Sequence, residues 1–216
     1  MSSPALDRLL LPVDPRAPAP EALGRAVEIL GRGGLVAFPT ESFYGLGAAA
    51  LDPEAVARVF RAKGRPADKP LLVLVDSVAM LRSVVVDIPC RARVLVERYW
   101  PGPLTLILRA RPEVPEALTA GTGTVGVRIP GHPVARALVR TAAFPVTAPS
   151  ANPHGEAGPR TAGEVIAGVG GHVELVLDGG PTAGGPASTV LDITVLPARV
   201  VRAGAVTIGP DEFIGA

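Results

Sequence analysis

Short apolar runs bounded by Gly, Pro or a polar residue recur along the chain, and through much of it they alternate with segments whose apolar residues repeat with helical spacing. The runs LVAF (35–38), LLVLV (71–75), LTLIL (104–108), TVGVRI (124–129), a stretch at 145–148, VELVL (173–177), STVLDIT (188–194) and ARVVR (198–202) read as buried or half-buried strands. Between them, 21–32 predicts a helix with Leu23, Ala26, Val27 and Leu30 on one face, stopped by Gly33 and Gly34. A second, 53–63, opens on Pro53 and turns Val56, Val59 and Phe60 to a core; further helices are predicted at 77–82, 90–99, 132–141 and 161–168. This alternation makes the chain α/β, while the order of strands in the sheet is not readable from it.

With 216 residues, 48% of them hydrophobic, the chain can bury one sizeable core. Residues 1–20 end in the proline-rich PVDPRAPAP and are expected to form an extended arm, leaving 21–216 as a single domain. A net charge of +1 demands no nucleic-acid or membrane partner, so any anion site must be a local gathering of cations. The single cysteine, Cys90, excludes an internal disulfide framework. Without a leader-like start or a long apolar span, a cytoplasmic location is expected.

Several motifs lack the context their chemistry needs. GTGTVG (121–126) has the letters of a dinucleotide-binding loop but leads into a strand, where that loop must open a helix. His132, His154 and His172 have no partners at ligand spacing, so no protein-held metal is expected. Ser150 lies outside a GxSxG elbow, and no GxxxxGK[ST] loop is present.

Rare residues mark other segments. The only lysines, Lys63 and Lys69, flank Arg65 in RAKGRPADKPL, where Gly64 and Pro66 force a loop. Three cations presented from such a loop suit a polyphosphate, with Arg as a planar fork and Lys as a mobile point charge. The only asparagine, Asn152, sits with Ser150 in TAPSANPHG; Thr40 and Ser42 follow the strand in FPTESFYGLG; Ser188 and Thr189 open STVLDIT. Strand ends carrying small hydrogen-bonding residues are where α/β sheets place ligands.

Taken in order, GGLVAFPTESFYGLG, KGRPADKPL, WPGPLTLIL, TVGVRIPGHP, APSANPHGEAGP, ASTVLDI and VVRAGAV closely resemble the YrdC/TsaC family, the threonylcarbamoyl-AMP synthases, from about Gly33 to Val206. The resemblance implies a twisted open sheet with flanking helices around a large, positively charged cavity. It also implies a nucleotidyltransferase that condenses L-threonine, bicarbonate or CO2, and ATP with Mg2+ into threonylcarbamoyl-AMP and pyrophosphate. A downstream transferase complex would consume the product in tRNA modification, with at most a weak tRNA or RNA contact here. The family pattern places threonine near Thr40, Ala148 and Ser188. It places ATP near Lys63, Arg65, Lys69, Thr124, Ser150, Asn152 and Arg202, and Lys63, Arg65 and Arg128 near the reacting centre.

The chain departs from that pattern at Glu41, Ser42 and Phe43, at Ala187 where a Glu is usual, and at Leu74 where some longer relatives carry a His. The end soon after VVRAGAV suggests the short, single-domain form. Two other readings are an RNA-binding module of the same fold and a carbamoyl-transferring relative. Salt-dependent RNA affinity without ATP turnover would mark the first. ATP consumption dependent on carbamoyl phosphate would mark the second.

Overall fold

A computed structural model describes residues 9–209. Strand β1 (Leu10–Pro12) precedes helix α1 (Pro20–Gly31), then come β2 (Val36–Pro39), β3 (Tyr44–Gly47) and α2 (Pro53–Lys63). The chain continues through β4 (Leu72–Leu74), α3 (Val78–Leu81), α4 (Cys90–Tyr99), β5 (Leu104–Arg109), α5 (Glu116–Thr119), β6 (Thr124–Arg128) and α6 (Pro133–Ala142). It ends with β7 (Val146–Thr147), α7 (Ala162–Val169), β8 (Leu175–Asp178), β9 (Thr189–Asp192) and β10 (Arg199–Arg202).

The helix ends follow local chemistry. Asp52 accepts the amides of Glu54 and Ala55 ahead of Pro53, and Gly64 closes α2 at φ 56°. Thr161 caps α7 through the Glu164 amide, and His132 caps α6 by accepting from the Val134 amide at 3.2 Å.

Two sheets form, in the orders β1-β8-β2-β3 and β10-β9-β5-β6-β4-β7. The first is parallel across β1, β8 and β2 and antiparallel at β3; the second alternates antiparallel and parallel pairs throughout. One seam joins them: β3 faces the segment after β7, with Leu46 donating to the Pro149 carbonyl at 2.7 Å and Ala151 to the Tyr44 carbonyl at 2.8 Å. Strand alternation divides the core into two clusters. Val36, Phe38, Leu175 and Leu177 pack under α1 and α6, whereas Leu35, Ala37, Val73 and Leu106 point to the opposite cluster, which includes Val56 and Val59 of α2.

Three elements differ from the sequence reading. Of the expected arm, residues 1–8 lie outside the described residues, but Leu10–Pro12 hydrogen-bond in parallel with β8. Their backbone amides and carbonyls find an open sheet edge, which outweighs the proline-rich composition that follows. Short α5 was not anticipated. Nor was β3, because YGLG carries two glycines with poor strand preference.

Packing explains why glycine is required there. A Cβ on Gly47 would lie 2.8 Å from the Phe38 ring and 3.1 Å from both Val146 Cγ1 and the Val36 carbonyl oxygen. Gly47→Ala is therefore expected to lower the unfolding free energy by about 1–3 kcal/mol, the usual range for overpacking. Urea denaturation measures it, and an unchanged midpoint would show that the seam has room to spare.

Candidate functional site

The period of two along the strands also builds a cavity. Leu104, Leu106 and Leu108 of β5 enter the core, so Thr105 and Ile107 face the other way; on β6, Val125 and Val127 enter the core and Thr124, Gly126 and Arg128 face outward. Together with Leu72 of β4 and Val190 of β9, these side chains floor a cavity of about 350 Å³. Gly126 keeps the floor low, since a Cβ there would come 3.3 Å from Thr105 Cγ2.

The walls come from the seam and from loops. Thr40, Gly45, Ala148 and Ser150 form one side, where Gly45 brings Thr40 and Ala148 together: its missing Cβ would lie 3.4 and 3.5 Å from them. Ser42 ties the 41–43 loop to the 182–186 segment, donating from Oγ to the Pro186 carbonyl at 2.8 Å and accepting at its own carbonyl from Thr182 Oγ1 at 2.8 Å. Phe43 lies against Gly158, which has no room for a Cβ. On the opposite side a register shift between Val200 and Arg202 in β10 makes a bulge. It lets the consecutive residues Val201 and Arg202 both face the cavity.

Three guanidinium groups line this space, from Arg65, Arg128 and Arg202, and no carboxylate is among the lining residues. Arg65 spends two donors on its own loop, from Nε to the Lys69 carbonyl at 3.0 Å and from Nη2 to the Pro70 carbonyl at 2.9 Å, which leaves its other N–H groups to a ligand. Arg128 is buried and paired with Glu41 at 2.9 Å, and the same carboxylate oxygen accepts the Gly131 amide at 2.8 Å. Arg202 donates to the Ser188 carbonyl at 2.8 Å and to Ser188 Oγ at 3.1 Å. Burial, then the neighbouring Arg128 charge, lowers the Arg202 pKa.

Of the residues expected at the site, Thr40, Arg65, Thr124, Arg128, Ala148, Ser150, Ser188 and Arg202 line the cavity together. Lys69 is exposed outside the lining, although its charge, after desolvation, contributes with Arg65 and Lys63 to lowering the His154 pKa, so the loop cations share one corner. Lys63 corrects the sequence reading of a solvent-reaching loop cation: it is 3% exposed, and its ammonium donates to the carbonyls of Ser150 and Asn152, each at 2.5 Å. The cause is the irregular backbone between Pro149 and Pro153: strand β3 reaches only the Pro149 carbonyl, and the Ser150 and Asn152 carbonyls take the ammonium as a buried donor. Asn152 is likewise buried beside the cavity, and Nδ2 holds the carbonyls of Pro153 and Glu156 at 2.8 and 2.9 Å.

Leu74 is fully buried in the core cluster with Val36 and Phe38 and lines no part of the cavity. The GTGTVG segment is the turn entering β6, with Gly121 and Gly123 at positive φ. Sequence reading missed Thr105, Ile107, Gly126 and Val190. The signal was available in the alternation of LTLIL and TVGVR, where a threonine and a glycine interrupt otherwise apolar strands.

Among the described residues no helix is long and apolar enough to cross a membrane, and no three His, Cys, Asp or Glu side chains gather as a metal site.

A family model for Sua5, YciO and YrdC proteins, described as "Telomere recombination", matches residues 28–204. The chain is 45% identical over 189 residues to a protein named threonylcarbamoyl-AMP synthase from Pyrococcus abyssi (strain GE5 / Orsay), covering 88% of this chain and 56% of that one. It is 42% identical over 190 residues to the protein of that name from Bacillus subtilis (strain 168), covering 86% and 54%. The crystal structure of P. abyssi Sua5 complexed with L-threonine superposes with a TM-score of 0.87 at 42% identity, over 91% of this chain and 57% of that one. The chain thus spans about half the length of these relatives.

Burial, then the charge of Arg65, lowers the Lys63 pKa from 10.5 to about 8. Below pH 8 the ammonium is charged in both folded and unfolded chains, and its desolvation cost is fully present. Between about 8 and 10.5 the unfolded chain holds more protons, so this group's contribution to stability rises with pH. Guanidinium denaturation of wild type and Lys63→Met is expected to give a difference that is flat below pH 7 and shifts in favour of wild type across that alkaline window. A difference independent of pH would show that the ammonium keeps its solvation.

Proposed function

Because the chain belongs to the Sua5/YciO/YrdC family, we propose that it is an L-threonylcarbamoyladenylate synthase, using L-threonine, bicarbonate or CO2, and ATP with Mg2+. The observation that carries this reading is the convergence of Arg65, Arg128 and Arg202 with Thr40, Ala148 and Ser188 around one cavity. Cations suited to phosphate oxygens and small groups suited to an amino acid share a single space, in a relative of a protein solved with L-threonine.

The amine of threonine takes up CO2 to give a carbamate and releases a proton. A carbamate oxygen then attacks the α-phosphorus of ATP in line, a P–O bond to that oxygen forms, and the bond to the β-phosphate oxygen breaks to release pyrophosphate. Neither step asks the protein for a nucleophile; positioning and charge stabilisation suffice. Arg65 faces the triphosphate with its remaining N–H groups, and Lys69 adds charge at the rim. Thr124, Ser150 and Arg202 complete the nucleotide side, while Thr40, the Ala148 backbone and Ser188 hold threonine. Arg128, its charge balanced by Glu41, stands at the reacting centre.

Lys63 and Asn152 act behind the wall by fixing the 150–152 segment. With no carboxylate in the lining, Mg2+ fits as part of the MgATP substrate, coordinated by phosphate oxygens and water. The protein works in the cytoplasm, and a threonylcarbamoyl transferase complex consumes its product to modify tRNA, any contact of RNA with this chain being weak.

Pyrophosphate release from MgATP is expected to require both L-threonine and bicarbonate. Arg65→Ala is expected to lower kcat/KM for ATP by about 10- to 150-fold, the loss of one or more charge-assisted hydrogen bonds worth ~1.5–3 kcal/mol. Release indifferent to threonine, from folded protein, would sink the assignment; RNA affinity without turnover, or turnover driven by carbamoyl phosphate, would replace it.

Gly126→Leu is expected to keep the fold and abolish detectable nucleotide binding in calorimetry, because the new side chain fills the floor. Wild-type affinity in that variant would place the nucleotide away from β6.

A further inference from the structure

Thr105 is the one hydroxyl on the cavity floor with no part in the roles assigned above. It is 1% exposed, and Oγ1 lies 2.9 Å from Ser188 Oγ. Ser188 Oγ also accepts from Arg202 Nη2 at 3.1 Å. A hydroxyl oxygen accepts through two lone pairs and donates one proton. Either hydroxyl could donate in this pair; Ser188 Oγ is the partner the structure gives Thr105 Oγ1, and donation by Thr105 is the arrangement that gives its proton an acceptor within the protein.

With Thr105 and Arg202 both donating, the lone pairs of Ser188 are filled and its own proton is turned to the cavity. The Thr105 side chain is held in this pose because its methyl occupies the space over Gly126, 3.3 Å from where a Cβ there would stand. Strand pairing does not need the hydroxyl: β5 and β9 are already joined by their backbones from Leu104 opposite Thr189 onward. Valine would fill the same volume with better strand preference and no polar atom to bury.

We propose, resting on the synthase reading, that Thr105 is a positioning residue that makes the Ser188 hydroxyl a donor only. That corner of the cavity then recognises an anionic oxygen of the bound amino acid, its α-carboxylate or the carbamate formed from its amine, and disfavours a group that must itself donate.

The test is steady-state pyrophosphate release with L-threonine and MgATP varied separately, in Thr105→Val, Thr105→Ser and each in a Ser188→Ala background, with thermal unfolding of every variant. Thr105→Val is expected to raise KM for L-threonine roughly tenfold while KM for ATP moves less than about twofold, the size of effect expected for one hydrogen bond to a charged group. Thr105→Ser, which restores the hydroxyl, brings KM back, and in the Ser188→Ala background Thr105→Val adds nothing further.

Unchanged KM for threonine, an equal rise for both substrates, or an additive effect in the double variant would overturn the proposal. Should Thr105→Val unfold at a lower temperature, Thr105→Ala carries the same comparison. Calorimetric titration of L-threonine into wild type and Thr105→Val separates the two levels. Binding by wild type that is unweakened in the variant overturns the role of Thr105 alone. No binding by wild type overturns the synthase reading and this proposal together.

Discussion

A single buried ammonium braces the segment that joins the two sheets. Lys63, the last residue of α2, reaches under the segment after β7 and donates to the carbonyls of Ser150 and Asn152. That segment is also the seam between the two sheets, where it pairs with β3. This short backbone flanked by prolines satisfies its carbonyls only in part, the Asn152 amide donating to the Ser150 carbonyl at 3.0 Å, and a carbonyl left buried and unpaired costs about 1–3 kcal/mol. The lysine adds a donor to both the Ser150 and Asn152 carbonyls, and the cost of burying its charge appears as its lowered pKa. The same contact fixes Ser150, whose side chain faces the cavity, so fold and site share one tether.

Everything else at the site follows from alternation on the six-stranded sheet. Leucines and valines of β5 and β6 take one face and build the core; the intervening residues become the floor. Because the floor side chains hang from central strands paired on both sides, they are held by the most cooperative part of the fold. Two of the three cations come instead from a loop and an edge, Arg65 from the turn after α2 and Arg202 from the bulged β10, while Arg128 hangs from the central strand β6.

The elements most legible in the sequence had strong local chemistry. Asp52, Pro53 and Gly64 bracket α2, and its observed limits, Pro53–Lys63, agree with those read from the sequence. The limits of α4, Cys90–Tyr99, agree as well. Strand β3 was hidden because its glycines are chosen for contact with Phe38 and Val146, a tertiary reason that no local preference expresses. Of the site residues, Arg65, Thr40, Ser150 and Ser188 already stood out by loop and strand-end position, whereas Thr124, Arg128, Ala148 and Arg202 were legible only through family resemblance. Their convergence depends on crossovers between sheets that the order of strands in sequence does not reveal. Lys63 was misread because lysine so rarely gives up water that a loop position looked like exposure.

The outer wall of the cavity has a different mechanical character from the floor. Strand β10 has a neighbour on one side only, all four of its residues are exposed, and its bulge interrupts the ladder that holds it to β9. What holds this edge in place lies just beyond it: Arg202 donates to the Ser188 carbonyl and hydroxyl, Ala205 to the Ala187 carbonyl, and Thr189 Oγ1 exchanges hydrogen bonds with Val206. The floor of the cavity is thus built by a sheet, and its outer wall by a clasp of side chain and loop around residues 187–189.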